Sequence, residues 1–192
     1  MNWPSPFRRR HPVFLLLCIL CCSAFLPTFT TGQCQSEDGE VYGGSNNKAT
    51  GPCAIVIGGK SNNAKTTYNT IIGGSWNHIN EYSSYSATLG GDNNGAIGGE
   101  YGAVGAGRDV DTRAVFATAV GGRACTASGP YGAAGGGFHN RPIGYGSVVT
   151  GGYFNRPQAD ATLSVIVGGN INTALALFGT VLGGDNNVVG FA

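Results

Sequence analysis

Charge is scarce in this chain: only 11% of its 192 residues are Asp, Glu, Lys or Arg. Beyond residue 32, Lys48, Lys60, Lys65, Arg108, Arg113, Arg123, Arg141 and Arg156 face ten acidic residues, eight minus ten, a net charge of about −2. A balance of that kind excludes nucleic-acid attraction by bulk charge. Of three histidines, His11 falls in the leader, which leaves His78 and His139 with no partner at ligand spacing and argues against a metal site. The aspartates do not recur at a fixed coil position, as calcium-binding solenoids require. No Ser-His-Asp set and no pair of carboxylates at one recurring position stands out, so no catalytic residue and no cofactor is assigned. Asn-x-Ser/Thr sequons are absent despite sixteen Asn, which excludes that route of glycosylation.

Long apolar runs are also missing after Leu26, so the mature chain carries no candidate membrane span. The one such run, Val13 to Leu26, follows Arg8, Arg9 and Arg10 and precedes the small, uncharged stretch Thr28 to Gly32. Fourteen residues are short of the roughly 20 a spanning helix needs. Residues 1–32 therefore have the makeup of a secretory signal peptide, and the expected location is extracellular.

What the chain has in abundance is glycine, 34 residues, spread too evenly for helix interiors, where each costs about 1 kcal/mol relative to Ala. The spread is periodic. Ten glycines, Gly43, Gly58, Gly73, Gly90, Gly105, Gly121, Gly136, Gly151, Gly168 and Gly183, recur at steps of 15 to 17 residues. The fourth place after them holds Asn47, Asn62, Asn77, Asn94, Asn140, Asn155, Asn172 and Asn187, with Asp109 and Cys125 as departures. Half of all Asn in one register position is a physical repeat, with one structural unit stacked.

An aliphatic residue stands before the glycine in seven of the phrases, after short runs such as Ala54-Ile55-Val56-Ile57, which predicts strands of four or five residues closed by glycine turns. Two such strands and two turns use about fifteen residues. The fold expected is all-β, a parallel β-solenoid of about ten 15-residue coils over residues 43–192, after a flank at 33–42. At roughly 4.8 Å per coil, the stack would be about 45 to 50 Å long. Asn at the fixed turn position is expected to take left-handed angles and form an amide ladder between coils. A second column, Tyr68, Tyr85, Phe116, Tyr131 and Phe178, lies five places before the glycine. Rings in register can stack, either as an edge seal or as a ligand stripe. So thin a coil leaves the outer apolar face of its strands uncovered, which points to a homo-oligomer.

Three cysteines remain after the leader. Cys34 and Cys53 are placed to staple the flank onto the first coils as a disulfide, while Cys125 is either a buried small hydrophobe or an inter-chain bridge.

The phrase aliphatic-Gly-Gly-x-x-Asn, with Ala following as in Asn62-Asn63-Ala64 and Asn172-Thr173-Ala174, resembles the head repeats of trimeric autotransporter adhesins of the YadA type. It is also similar to Gly-Gly-x-x-Asn-x-Ala repeats of surface and fibre proteins. The likeness spans about residues 41–192 and implies a left-handed β-roll packed as a trimer. The period of fifteen differs from the fourteen or so usual in those heads.

Two adjacent coils carry Phe138-His139-Asn140-Arg141-Pro142 and Tyr153-Phe154-Asn155-Arg156-Pro157. Stacking would set aromatic pairs and arginines above one another, an arrangement that suits glycans or anionic sugars, or covers an oligomer edge. Two 17-residue steps are expected to bulge outward and display Trp76, Tyr82 and Tyr153. Phe138, His139, Arg141, Tyr153, Phe154, Arg156 and Trp76 form the candidate ligand-binding set. The expectation is a secreted structural or adhesive surface module without enzymatic activity. The alternatives are a carbohydrate-active enzyme on a parallel β-helix and a purely architectural coat or filament component.

Overall fold

The computed structural model describes residues 38–190, so the predicted signal peptide at 1–32 and Cys34 lie outside the described residues. The described chain is an all-β parallel solenoid of about ten turns with no helix. Each coil touches the next along three lines. The first is a ten-stranded parallel sheet running from Glu40–Tyr42, Ile55–Ile57 and Thr70–Ile72 to Val165–Ile166 and Thr180–Val181. The second is a column of single bridged residues from Ser45 and Lys60 to Asn170 and Asp185. The third is a sheet of two-residue strands, Lys48–Ala49 to Val188–Val189. Glu40–Tyr42 lies within the 33–42 flank, so the stack begins before the first glycine phrase.

The strands are two or three residues long, shorter than the four or five the apolar runs predict. The reason is that each coil has three contact lines instead of two, and the corners between them consume the difference. Two corners turn through residues with left-handed backbone angles. One is the residue before the Asn position, such as Ser61 (φ 56°), Trp76 (φ 58°) and Phe154 (φ 53°). The other precedes the first sheet, as at Tyr68 (φ 56°) and Phe116 (φ 54°). Glycine is required at the remaining tight place. At Gly59, φ is +80°, and a Cβ would lie 2.2 Å from the carbonyl oxygen of Gly74.

The left-handed residue is thus not the Asn itself, contrary to the sequence reading. The kink one residue earlier turns the Asn side chain inward, where Asn62, Asn77, Asn94, Asn140, Asn155 and Asn172 are fully buried. There the amide bonds to backbone. Asn62 Nδ2 donates to the carbonyls of Gly58 at 3.2 Å, Gly73 at 3.2 Å and Gly74 at 3.1 Å, and its Oδ1 accepts the N–H of Asn77 at 3.0 Å. The amide ladder therefore runs side chain to backbone up the stack, a complete accounting for otherwise orphaned turn groups. Only at Asn187, which donates to Asn172 Oδ1 at 3.0 Å, does one ladder amide bond the next directly among the described residues.

One register assignment changes. Ala106-Gly107, not the pair starting at Gly105, makes the turn of the fifth coil, because Gly107 precedes the bridged Arg108 as Gly91 precedes Asp92. Asp109 is consequently the left-handed corner residue (φ 58°), and Val110 fills the Asn position. Val110 and Cys125 are both fully buried and interrupt the amide column between Asn94 and Asn140. Asn94 Oδ1 still accepts the Val110 N–H at 2.9 Å. The Cys125 thiol faces the carbonyls of Gly136 at 3.4 Å and Gly137 at 3.6 Å, the same groups an Asn would bond.

The core is narrow. The first sheet points Val56, Ile71, Val104, Val149 and Ile166 inward against Ala64, Ile79, Ala96, Ala127 and Ala174 of the third line. Burial divides into three clusters along the axis, as expected where each coil meets only its neighbours.

The third line is interrupted at Arg141-Pro142, leaving six strands on one side and three on the other. Pro142 and Pro157 are buried residues of the third line, at places where another residue would donate its N–H to the preceding coil. Proline has none to give. The bonds in the other direction persist: Thr126 N–H to Asn140 O at 3.0 Å and Arg141 N–H to Asn155 O at 2.9 Å. Both prolines are therefore buried residues of the third line, Pro157 alone within a strand.

Candidate functional site

Each half of the candidate patch is one corner of one coil. After the glycine turn, Phe138 and Tyr153 occupy the single-bridge column and pair with each other in parallel register. Their rings stack with centroids 5.2 Å apart at 13°. The next residues, His139 and Phe154, are the left-handed corner residues (both φ 53°), and their rings stack at 4.6 Å and 14°. Phe138 meets Phe154 edge to face at 5.8 Å, and Tyr153 meets Phe154 at 4.7 Å, so the four rings form one cluster around the corner. Asn140 and Asn155 turn inward, and Arg141 and Arg156 emerge on the neighbouring face. Stacking thus brings together six of the seven residues expected from sequence.

The guanidinium of Arg123, one coil before Phe138, lies 5.5 Å from the Phe138 ring centroid, in cation–π range. Arg141 Nε donates to Ser128 Oγ at 3.2 Å. Partial burial and the neighbouring charges of Arg156 and Arg113 push the Arg141 pKa below the usual guanidinium value. Beside it opens a cavity of about 320 Å³ lined by Asp109, Asp111, Arg113, Ala124, Thr126, His139 and Arg141. Burial raises the pKa of Asp111, against the opposing effect of Arg113, whose Nη2 donates to the Asp111 carboxylate at 3.2 Å.

Trp76 stands apart. It occupies the same corner column as His139, but Asn93, Asp109 and Ala124 intervene, so it lies four coils away, about 19 Å along the axis. The 17-residue coils place their extra residues elsewhere: one insertion lies in the turn between His78–Ile79 and Ala87–Thr88, the other between Arg156–Pro157 and Val165–Ile166. Tyr82 is displayed there, 70% exposed, but Trp76 and Tyr153 are not part of either bulge. His78 is an outward residue of the strand His78–Ile79.

Arg113, Arg123 and Thr126 were not singled out from sequence. The signal was present, since no acidic residue occurs between Asp111 and Asp160. The second aromatic column also contains more than the fixed offset found. Tyr68, Tyr85, Tyr101, Phe116 and Tyr131 stack in unbroken succession at 4.8 to 5.2 Å. Tyr101 was missed because its coil's glycine turn is shifted by one residue. Tyr145 is tilted at 53° to Tyr131, because in its coil the corner position belongs to Gly146 (φ 61°).

Cys53 is disulfide-bonded, and Cys34, the partner expected for it, lies outside the described residues. Cys125 is a free thiol buried in the stack, as the small-hydrophobe reading expects. Among protein-family models none matches this chain, and no curated protein is significantly similar to it.

Proposed function

We propose that this chain is a secreted, non-enzymatic surface module, structural or adhesive, that assembles with copies of itself and contacts extracellular glycans through the corner formed by Phe138, His139, Arg141, Tyr153, Phe154 and Arg156. The observation that carries this reading is the four-ring cluster with two arginines beside it on consecutive coils. Tyr153 and Phe154 are 47% and 42% exposed, a large apolar display for a surface with so little charge. Exposed aromatic clusters mark interfaces, and guanidinium groups beside ring faces suit sugars.

The oligomer is supported by the first sheet. From Ile55 onward its outward positions carry no charged residue, and Ile57, Ile72, Leu89, Val120, Val167 and Leu182 form an exposed aliphatic column along one side. An apolar stripe of this kind, interrupted by Gly105, Gly135 and Thr150, is suited to burial against other copies, and the resemblance to trimeric adhesin heads makes three the expected number. Secretion is supported by the arginines and apolar run of residues 8–26.

Glycan-array binding by the mature protein, lost on combined Arg141→Ala and Arg156→Ala substitution, tests the contact site. Turnover of a polysaccharide would overturn the non-enzymatic reading. A monomeric mass in solution would overturn the assembly.

A further inference from the structure

The four cations between Asp111 and Asp160 are Arg113, Arg123, Arg141 and Arg156, with no carboxylate among them in sequence. In the rest of residues 38–190 the balance reverses: Lys48, Lys60, Lys65 and Arg108 stand against nine acids. A solenoid converts a sequence run into a spatial block, so this segregation is a positive band about three coils deep on a chain that is otherwise acidic.

Within the band the arginines are not equivalent. Arg113 is held by Asp111 at 3.2 Å, and Arg123 lies over the Phe138 ring. Arg141 and Arg156 occupy matching positions of adjacent coils, and no ion pair engages either among the described residues. Two like charges this close, one of them partly buried, hold an electrostatic cost that a bound anion relieves. The cavity beside Arg141 adds the Thr126 hydroxyl and His139. Its two acids are already engaged, Asp109 by Asn93 Nδ2 at 2.7 Å and Asp111 by Arg113, so Arg141 is the lining cation with no carboxylate partner among the described residues.

We propose that the coils from Arg123 to Pro157 bind a polyanionic polysaccharide, its sulfate or carboxylate groups held by Arg141 and Arg156 and its sugar rings packed on the Tyr153–Phe154 cluster. This rests on the glycan-contact reading above and names its ligand class. The ring cluster separates a saccharide from a polyanion held by charge alone, which needs no apolar surface.

The test uses the mature chain titrated with dextran sulfate, polygalacturonate, uncharged dextran and an oligothymidylate of matched charge. One or both acidic polysaccharides are expected to bind, with affinity falling about tenfold or more as salt screens the contact. Arg141→Gln with Arg156→Gln is expected to lower that affinity at least about tenfold, and Tyr153→Ala to lower it for the saccharide but not for the oligonucleotide. The pair Lys48→Gln and Lys65→Gln, which removes the same charge from coils outside the band, is expected to change nothing, and unaltered melting temperatures establish that each variant is folded. Equal weakening by the two charge pairs reduces the effect to bulk charge and overturns the proposal, as does oligonucleotide binding as tight as dextran sulfate, whether or not Tyr153→Ala weakens it, since bases also stack on aromatic rings. Uncharged dextran bound as tightly as dextran sulfate, and lost on Arg141→Gln with Arg156→Gln, overturns it while leaving the glycan-contact reading standing. Binding to no saccharide removes both.

Discussion

The backbone N–H of Asn77 donates to Asn62 Oδ1, fifteen residues earlier, at 3.0 Å, and Asn77 Oδ1 in turn accepts the N–H of Asn94 at the same distance. The Asn77 amide also donates to the carbonyls of Gly73 at 3.1 Å and Gly91 at 3.3 Å, all in a fully buried position. Asn77→Ala leaves one N–H and two carbonyls without these partners. The expected cost is about 3 kcal/mol, since each buried polar group left unpaired costs on the order of 1 kcal/mol or more. Lys60→Ala, an exposed change in the bridge column, should stay within about 0.5 kcal/mol. Thermal or denaturant unfolding of both variants checks this, and equal stability would remove the ladder as a source of stability.

Cys125 stands where the ladder is interrupted, and its surroundings still have the polarity of an Asn site. The Gly136 and Gly137 carbonyls lie 3.4 and 3.6 Å from its sulfur, and the Asn140 N–H is directed at it. Cys125→Asn should therefore stabilise the protein by about 1 kcal/mol through two or more stronger hydrogen bonds, while Cys125→Ala destabilises it. Burial raises the thiol pKa above its ordinary 9.0. The folded state then binds the proton more tightly than the unfolded state. The thiol's contribution is full below the unfolded pKa and is lost as pH rises through the folded one. The melting-temperature gap between the wild type and Cys125→Ala is expected to narrow above about pH 9, and a gap that widens there would contradict the burial argument.

The Tyr101 and Phe116 rings are almost parallel, 1° apart with centroids at 4.8 Å, in the middle of the five-ring column. Both are about half exposed, so stacking rather than burial dominates their coupling. A double-mutant cycle with Tyr101→Ala and Phe116→Ala should give a coupling energy of about 0.5 to 1.5 kcal/mol. A value near zero would mean that the column is ornament to a backbone that stacks without it.

The stack itself was legible in the sequence because one position demands one side chain. No other residue both accepts a backbone N–H and donates to the glycine carbonyls across so short a reach, so Asn returns every fifteen residues. The corner before it was illegible for the converse reason. Its requirement is a backbone angle, and the chain meets it with Asn46, Trp76, Ala124, Phe154 and Ile171 alike, so no residue type recurs. The displaced turn at Ala106-Gly107 hid both Val110 and Tyr101, since an Ala there breaks the glycine pair on which the counting relied. The stacking of the two aromatic-Asn-Arg-Pro motifs was legible, but the cavity beside them draws on coils that share no motif, and Arg113 and Thr126 become neighbours of Arg141 only once the coils are stacked.

Ile171 tests what those corners cost. It holds φ 53° with a β-branched side chain, a combination that carries on the order of 1 kcal/mol of strain or more, and it is 47% exposed, so little burial compensates. Asn46, Asn93 and Asn186 fill the same corner of other coils, and Asn reaches left-handed angles at far lower cost. Its amide can also extend the surface pairing already seen where Asn93 Nδ2 bonds Asp109 Oδ1 at 2.7 Å. Ile171→Asn should raise stability by about 1 kcal/mol, Ile171→Val should leave it nearly unchanged because the branching and the strain both remain, and the reverse change Asn93→Ile should lower it. Melting temperatures of the three variants decide the matter. If Ile171→Asn proved destabilising, side-chain contacts at the corner would outweigh backbone strain, and the tolerance of this column for bulky residues would have to be explained by packing.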